Sequence, residues 1–103
     1  MAITNGIRIA LPSLSAKAIA AIRKATGLSI SDIKQRAQNG DYLMEKDLSD
    51  DKGLFSIIKL AEELSALGLD VELCQGGYSR SLEFMKNVLE SHRQTAREVG
   101  PKD

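Results

Sequence analysis

Residues 18–34, AIAAIRKATGLSISDIK, decide the fold, because one helix ends within them and a second begins almost at once. Ile19 and Ile22 are three positions apart and therefore share one face of the first helix. Gly27 can adopt the positive φ that ends a helix. Ser29 then provides an N-cap for the second helix. The stretch predicts a tight helical hairpin.

Outside this hairpin, apolar periodicity predicts three strands and two more helices. Residues 7–11 and 69–74 alternate between apolar and other side chains, as half-buried strands do, and Pro12 ends the first of them. Residues 42–48 fit a short strand or an irregular edge, and we favour the strand. Apolar residues spaced by three and four predict a helix over residues 54–64.

The order is therefore β-α-α-β-α-β plus an extra C-terminal helix, which predicts an α+β fold with helices on one face of a small sheet. The other face should show Arg8, Ala10 and Glu72, with Cys74 as a further candidate. We expect residues 1–78 to form this domain. Residues 79–99 form an amphipathic helix of the same domain or of an interface, after a flexible joint at residues 76–77.

Composition limits the class of protein. A chain of 103 residues forms one domain, and its hydrophobic fraction of 43% is ordinary for a soluble protein. No apolar run is long enough to cross a bilayer, and no targeting signal is visible. The single cysteine, Cys74, excludes an internal disulfide and suits a reducing compartment. A cytoplasmic protein is the expectation.

The net charge of zero hides a strong gradient along the chain. Residues 1–40 contain six basic residues and one acidic residue, a net charge of +5, whereas residues 41–75 contain three basic and nine acidic residues, a net charge of −6. Such a distribution can steer oppositely charged partners to two different faces. A binding function of either sign is therefore consistent with the sequence.

The hairpin resembles the helix-turn-helix of the C-terminal domain of the bacterial ribosomal stalk protein, whose pattern there is close to V-I-K-A-V-R-x-x-T-G-L-x-L-x-E-A-K. Residues 64–73, LSALGLDVEL, resemble the closing L-x-x-x-G-A-x-V-E-L segment of that family. The similarity covers about residues 7–75 and implies the same fold, which the ClpS adaptor also has. Its motifs consist mostly of structural residues, so it implies fold more than function.

In the stalk family, the hairpin recruits translational GTPases through a basic, partly apolar surface. By position, Ile19, Arg23 and Lys34 match that surface, and Lys24 lies beside them. The resemblance thus implies an adaptor or ribosome-associated module that binds an acidic partner.

The chain also departs from both relatives. Ala20 and Ser15 stand where the stalk family has lysines, and residues 12–15 contain no carboxylate where ClpS has the Asn-Asp-Asp run that clamps a free amine. The recognition of N-terminal degrons is therefore not carried over to this chain.

The acidic segment indicates the opposite kind of partner. It consists of five carboxylates that could cover a basic protein, as an inhibitor or immunity-type protein covers a nuclease-like toxin: Asp41, Glu45, Asp47, Asp50 and Asp51. These residues lack the spacing of a calcium loop, so we predict no metal. Asp50 and Asp51 also fit helix caps.

The C-terminal helix provides a third possibility, a small homo-oligomeric structural protein. Leu82, Met85 and Leu89 form an apolar stripe that either packs on the same chain or joins two copies. The sequence leaves both alternatives open.

Neither catalysis nor a cofactor is indicated. His92 has no evident partner or cleft for acid–base work. A catalytic thiol at Cys74 would need a basic neighbour that lowers its pKa, and Arg8 could lie on the same sheet face, but the sequence does not establish that geometry. Four aromatic residues and zero net charge argue against nucleic-acid binding. We therefore predict a non-enzymatic protein-binding domain.

Overall fold

The computed structural model describes residues 3–9 and 15–98, with side chains up to His92. Its strands are β1 (Thr4–Ile9), β2 (Met44–Asp47), β3 (Val71–Gln75) and β4 (Tyr78–Arg80), and its helices are α1 (Ala16–Thr26), α2 (Ile30–Asn39), α3 (Asp51–Ala66) and α4 (Leu82–Glu98). The α+β class and the predicted order are confirmed, and one short strand, β4, is added. The predicted end of the first strand at Leu11 and Pro12 lies outside the described residues.

The four strands form one antiparallel sheet in the order β2-β1-β3-β4. Successive residues of β1 point to opposite faces. Asn5, Ile7 and Ile9 are buried towards the helices. The other face, called the open face here, carries Arg8 with its cross-strand neighbour Glu72, as predicted. Ala10 lies outside the described residues.

The helical hairpin forms as its caps predict. The Ser15 hydroxyl accepts a hydrogen bond from the backbone N–H of Ala18 at 3.1 Å, which starts α1. Gly27 ends α1 with a φ of 76° and donates its N–H to the Arg23 carbonyl at 2.8 Å. The Ser29 hydroxyl then caps α2. Hydrogen bonds from the capping residues thus satisfy backbone groups at the end of α1 and at the start of α2. The turn between the two helices is therefore tightly constrained.

Helix α3 is the centre of the core. Leu54, Ile57 and Leu64 are fully buried, and α3 contacts three strands as well as α1 and α4. Ile22 of α1 and Ile33 of α2 complete the same cluster. Burial of each such side chain stabilises the folded state by about 1.5–3 kcal/mol. No helix in the described part of the chain has the length and apolar content to cross a membrane.

The segment between β3 and β4 differs from its prediction. Gly76 and Gly77 have φ angles of 60° and 86°, which are those of a two-residue type I′ turn. They close a β-hairpin in which Gln75 pairs with Tyr78. The prediction of a flexible joint was therefore wrong, and α4 begins only at Leu82, after the cap residue Ser81.

Helix α4 packs on α3 of the same chain. Met85 is completely buried and Leu89 is 5% exposed, both within the common core, while Leu82 is half-buried. The Lys86 ammonium also pairs with the Glu62 carboxylate at 2.8 Å. Met85 and Leu89 are therefore covered within one chain. The pairing of two copies through this stripe stays a prediction.

Replacing Met85 with alanine should lower the free energy of unfolding by about 2–5 kcal/mol, because the change leaves a cavity in a closed core. Urea denaturation followed by circular dichroism measures this loss. Asn87→Ala, an exposed change on the same helix, should shift the stability by less than about 0.5 kcal/mol. Equal stability of the Met85 variant and the wild type would contradict the packing of α4.

Candidate protein-binding surfaces

Hydrogen bonds at the C-terminal end of α2 fix the turn that leads from α2 to β2. Gly40 ends this helix with a φ of 74°, and the N–H of Asp41 donates to the Arg36 carbonyl at 2.8 Å. The Arg36 guanidinium in turn donates to the Tyr42 carbonyl at 2.9 Å. These bonds turn the chain sharply, so that Tyr42 is directed back over the sheet.

The Tyr42 ring lies on the open face, directly over Gly6. A Cβ atom built on Gly6 would be 2.8 Å from the nearest ring carbon, which is too close for any contact of this kind. The Arg8 guanidinium is 5.8 Å from the ring centre. Burial raises the pKa of Tyr42, and the neighbouring Cys74 raises it further. The ring thus covers β1 and β3, and Cys74 is only 1% exposed.

A cavity of about 450 Å³ opens between α2 and β2, beside Tyr42. Apart from the Tyr42 ring, its side chains are polar or charged, and they include three carboxylates and one guanidinium. The residues that line it are Asp32, Gln35, Arg36, Asn39, Asp41, Tyr42 and Glu45. The one guanidinium already donates to a backbone carbonyl. The cavity therefore favours a cationic group.

The structure divides the predicted acidic segment in two. Asp41 and Glu45 line the cavity, and the Glu45 carboxylate accepts a hydrogen bond from the Thr4 hydroxyl. The remaining three carboxylates lie between the end of β2 and the first residue of α3, and their hydrogen bonds are made within the chain: Asp47, Asp50 and Asp51.

Each of these three carboxylates has a local structural role. The backbone N–H and then the hydroxyl of Ser49 lower the pKa of Asp47. Asp50 caps α3 by accepting the N–H of Gly53 at 2.8 Å. Asp51 contacts the His92 ring nitrogen Nδ1 at 2.8 Å. Their hydrogen-bonding capacity is therefore partly used before any partner arrives.

Five of the seven residues that line the cavity were missed by the sequence reasoning: Asp32, Gln35, Arg36, Asn39 and Tyr42. Among them, Tyr42 was interpreted only as a strand residue. Asp32, Gln35 and Asn39 follow a helical spacing of three and four, so they share one face of α2. That polar stripe was the available signal, but it could not show that β2 would lie opposite.

The basic hairpin surface consists of exposed cations. Arg23 and Lys24 on α1 and Lys34 on α2 are exposed, and none forms an ion pair with another described residue. Ile19 is half-buried against the core. Ile30, one turn before Lys34, is 44% exposed and adds apolar area to this surface, which the sequence reasoning missed.

The two residues considered for catalysis have structural surroundings. His92 joins α4 to Asp51 at the start of α3, and Cys74 is covered by Tyr42. Across residues 3–9 and 15–92, no group of three or more His, Cys, Asp or Glu side chains is placed to hold a metal ion.

Comparison with known proteins finds no family model, curated protein or solved structure that matches the chain. The geometry of its own residues therefore carries the functional argument.

Gly6→Ala should destabilise the wild type by about 1–3 kcal/mol, because the new methyl group overlaps the Tyr42 ring. With Tyr42 changed to alanine, the same substitution should be neutral or stabilising by about 0.5 kcal/mol, since alanine suits a strand interior better than glycine. Urea denaturation of the wild type, Gly6→Ala, Tyr42→Ala and the double variant measures both effects. Additive changes would show that the ring does not lie on Gly6.

Proposed function

We propose that the protein is a non-enzymatic binding protein that covers a basic surface of another protein, as an inhibitor or immunity-type protein does. The observation that carries the proposal is the cavity beside Tyr42, with the carboxylates of Asp32, Asp41 and Glu45. A lysine or arginine side chain of the partner enters it. The charged head meets the carboxylates, and the aliphatic stem contacts the Tyr42 ring.

Electrostatics supports this assignment. The three carboxylates lie in one concave region, where field lines concentrate and a cation is attracted more strongly than on a flat surface. Asp47, Asp50 and Asp51 lie between the end of β2 and the first residue of α3 and extend the negative potential. Their role is to steer the partner, because rim charges change the association rate more than the final affinity. The single cysteine favours a reducing compartment such as the cytoplasm.

The test compares two charge-matched variants as baits in a pull-down from a lysate of the source organism. The cavity variant carries Asp32→Asn, Asp41→Asn and Glu45→Gln. The control variant carries Glu63→Gln, Asp70→Asn and Glu83→Gln, which removes the same charge at exposed positions that do not line the cavity.

We expect the wild type and the control to retain one small basic protein in stoichiometric amount, and the cavity variant to lose it. With the purified partner, each cavity carboxylate removed should weaken binding by about 2 kcal/mol, or about 30-fold in Kd. Equal retention by both variants, or a partner that is not basic, contradicts the proposal.

A second candidate function is favoured by the exposed cations of the hairpin. The surface of Arg23, Lys24 and Lys34, with Ile30 beside Lys34, combines charge and apolar area in the way that the stalk resemblance implies. In this case the protein is an adaptor that binds an acidic partner such as a translational GTPase.

Arg23→Glu with Lys34→Glu should then abolish capture of ribosomes or of a GTPase from the same lysate, because reversed charges repel an acidic surface. The cavity variant serves as the control and should capture them normally. Loss of capture with the cavity variant instead would assign the interaction to the acidic side.

A further inference from the structure

Strand β4 forms one edge of the sheet, and its three residues are all exposed. In a two-residue hairpin, the residues that flank the turn exchange both backbone hydrogen bonds, so Tyr78 directs its N–H and C=O towards Gln75. Because these directions alternate along an antiparallel pair, Ser79 directs its N–H and C=O away from β3. The edge therefore presents one backbone donor and one acceptor, both from the central residue of the strand.

The side chains on either side of Ser79 form an exposed cation–aromatic cluster. The Arg80 guanidinium lies 5.8 Å from the centre of the Tyr78 ring and 4.9 Å from the centre of the Phe84 ring. Tyr78 is 70% exposed and Phe84 is 36% exposed. Tyrosine, phenylalanine and arginine are the residue types enriched at protein interfaces.

This edge is complementary to itself. When two copies pair antiparallel about a twofold axis at Ser79, the two Ser79 residues exchange both of their outward hydrogen bonds. The same axis places Tyr78 directly opposite Arg80 of the second copy, and Arg80 opposite Tyr78 of the second copy. Each cation then meets an aromatic ring rather than another cation. No residue of the strand is left facing a like charge.

The other edge of the sheet is protected against such pairing. Three of the four residues of β2 are charged, namely Glu45, Lys46 and Asp47. Charged side chains on an edge strand discourage the addition of another strand, and β4 has only the one charge at Arg80.

From this contrast we propose that β4 pairs with β4 of a second copy and forms a symmetric dimer with a continuous eight-stranded sheet. The contact lies at the edge opposite β2 and the acidic cavity, so it does not depend on the proposed function. It also differs from pairing through Met85 and Leu89, which are buried within the chain.

Sedimentation equilibrium of the full chain, from low micromolar to millimolar concentration, tests the dimer. The wild type should associate weakly, because a three-residue strand provides a small contact. Ser79→Pro removes the outward N–H without removing a ladder bond, and proline is tolerated in edge strands in this orientation. This variant should remain monomeric at every concentration. Ser79→Thr keeps the backbone donor and should associate as the wild type does.

A second variant keeps the proposal testable where proline disturbs folding, as judged by circular dichroism. Arg80→Ser leaves the backbone intact and removes both cation–aromatic contacts, so the dimer Kd should rise about fivefold or more. A wild type that is monomeric throughout overturns the proposal. Unchanged association of the folded Ser79→Pro variant, or of Arg80→Ser, does so equally.

Discussion

The central strand β1 imposes the main constraint on this fold, because β1 is paired on both edges and must also be covered on both faces. The helices cover one face through Ile7 and Ile9. On the other face the described residues include no second layer of helices, and the Tyr42 ring covers the strand at Gly6. The ring can approach the strand because Gly6 has no side chain. The geometry of the candidate site follows from this contact, because Asp41 and Glu45 line the same cavity as Tyr42.

Much of the fold was predictable because its signals are local. The hairpin depends on caps at Ser15, Gly27 and Ser29, whose hydrogen bonds join residues at most four positions apart. The helix α3 follows from a regular apolar stripe. Strand β4 was not predictable in this way, because three residues are too short to show an alternating pattern. Two adjacent glycines fit a joint and a type I′ turn equally well until the pairing of the flanking residues is known.

The candidate site was predictable only in part, for a different physical reason. Asp41 and Glu45 belong to an acidic segment that is visible in the sequence, but Asp32 is the single acidic residue of the first forty. It reaches the cavity because the polar face of α2 and Glu45 of β2 line the same concave region, an arrangement that no periodicity within either element reveals. The cover of Cys74 by Tyr42 is likewise a contact between distant residues. Sequence patterns show which face of a helix or strand is apolar. They do not show which polar faces of two different elements will meet in the fold.

The division of the acidic segment shows why a count of charges along a chain overstates a binding surface. A carboxylate attracts a partner most effectively when it is not already hydrogen-bonded, because its bonds within the chain would have to be shared or broken. Asp47, Asp50 and Asp51 cap or brace the start of α3, so their charge is partly committed to folding. The five carboxylates of residues 41–51 thus serve two demands, the bracing of the start of a central helix and the polarity of a cavity. Asp32 joins the second demand from a region whose net charge is +5. The proposed binding surface therefore depends on the cavity that α2 and Glu45 line together, rather than on the acidic segment as a whole.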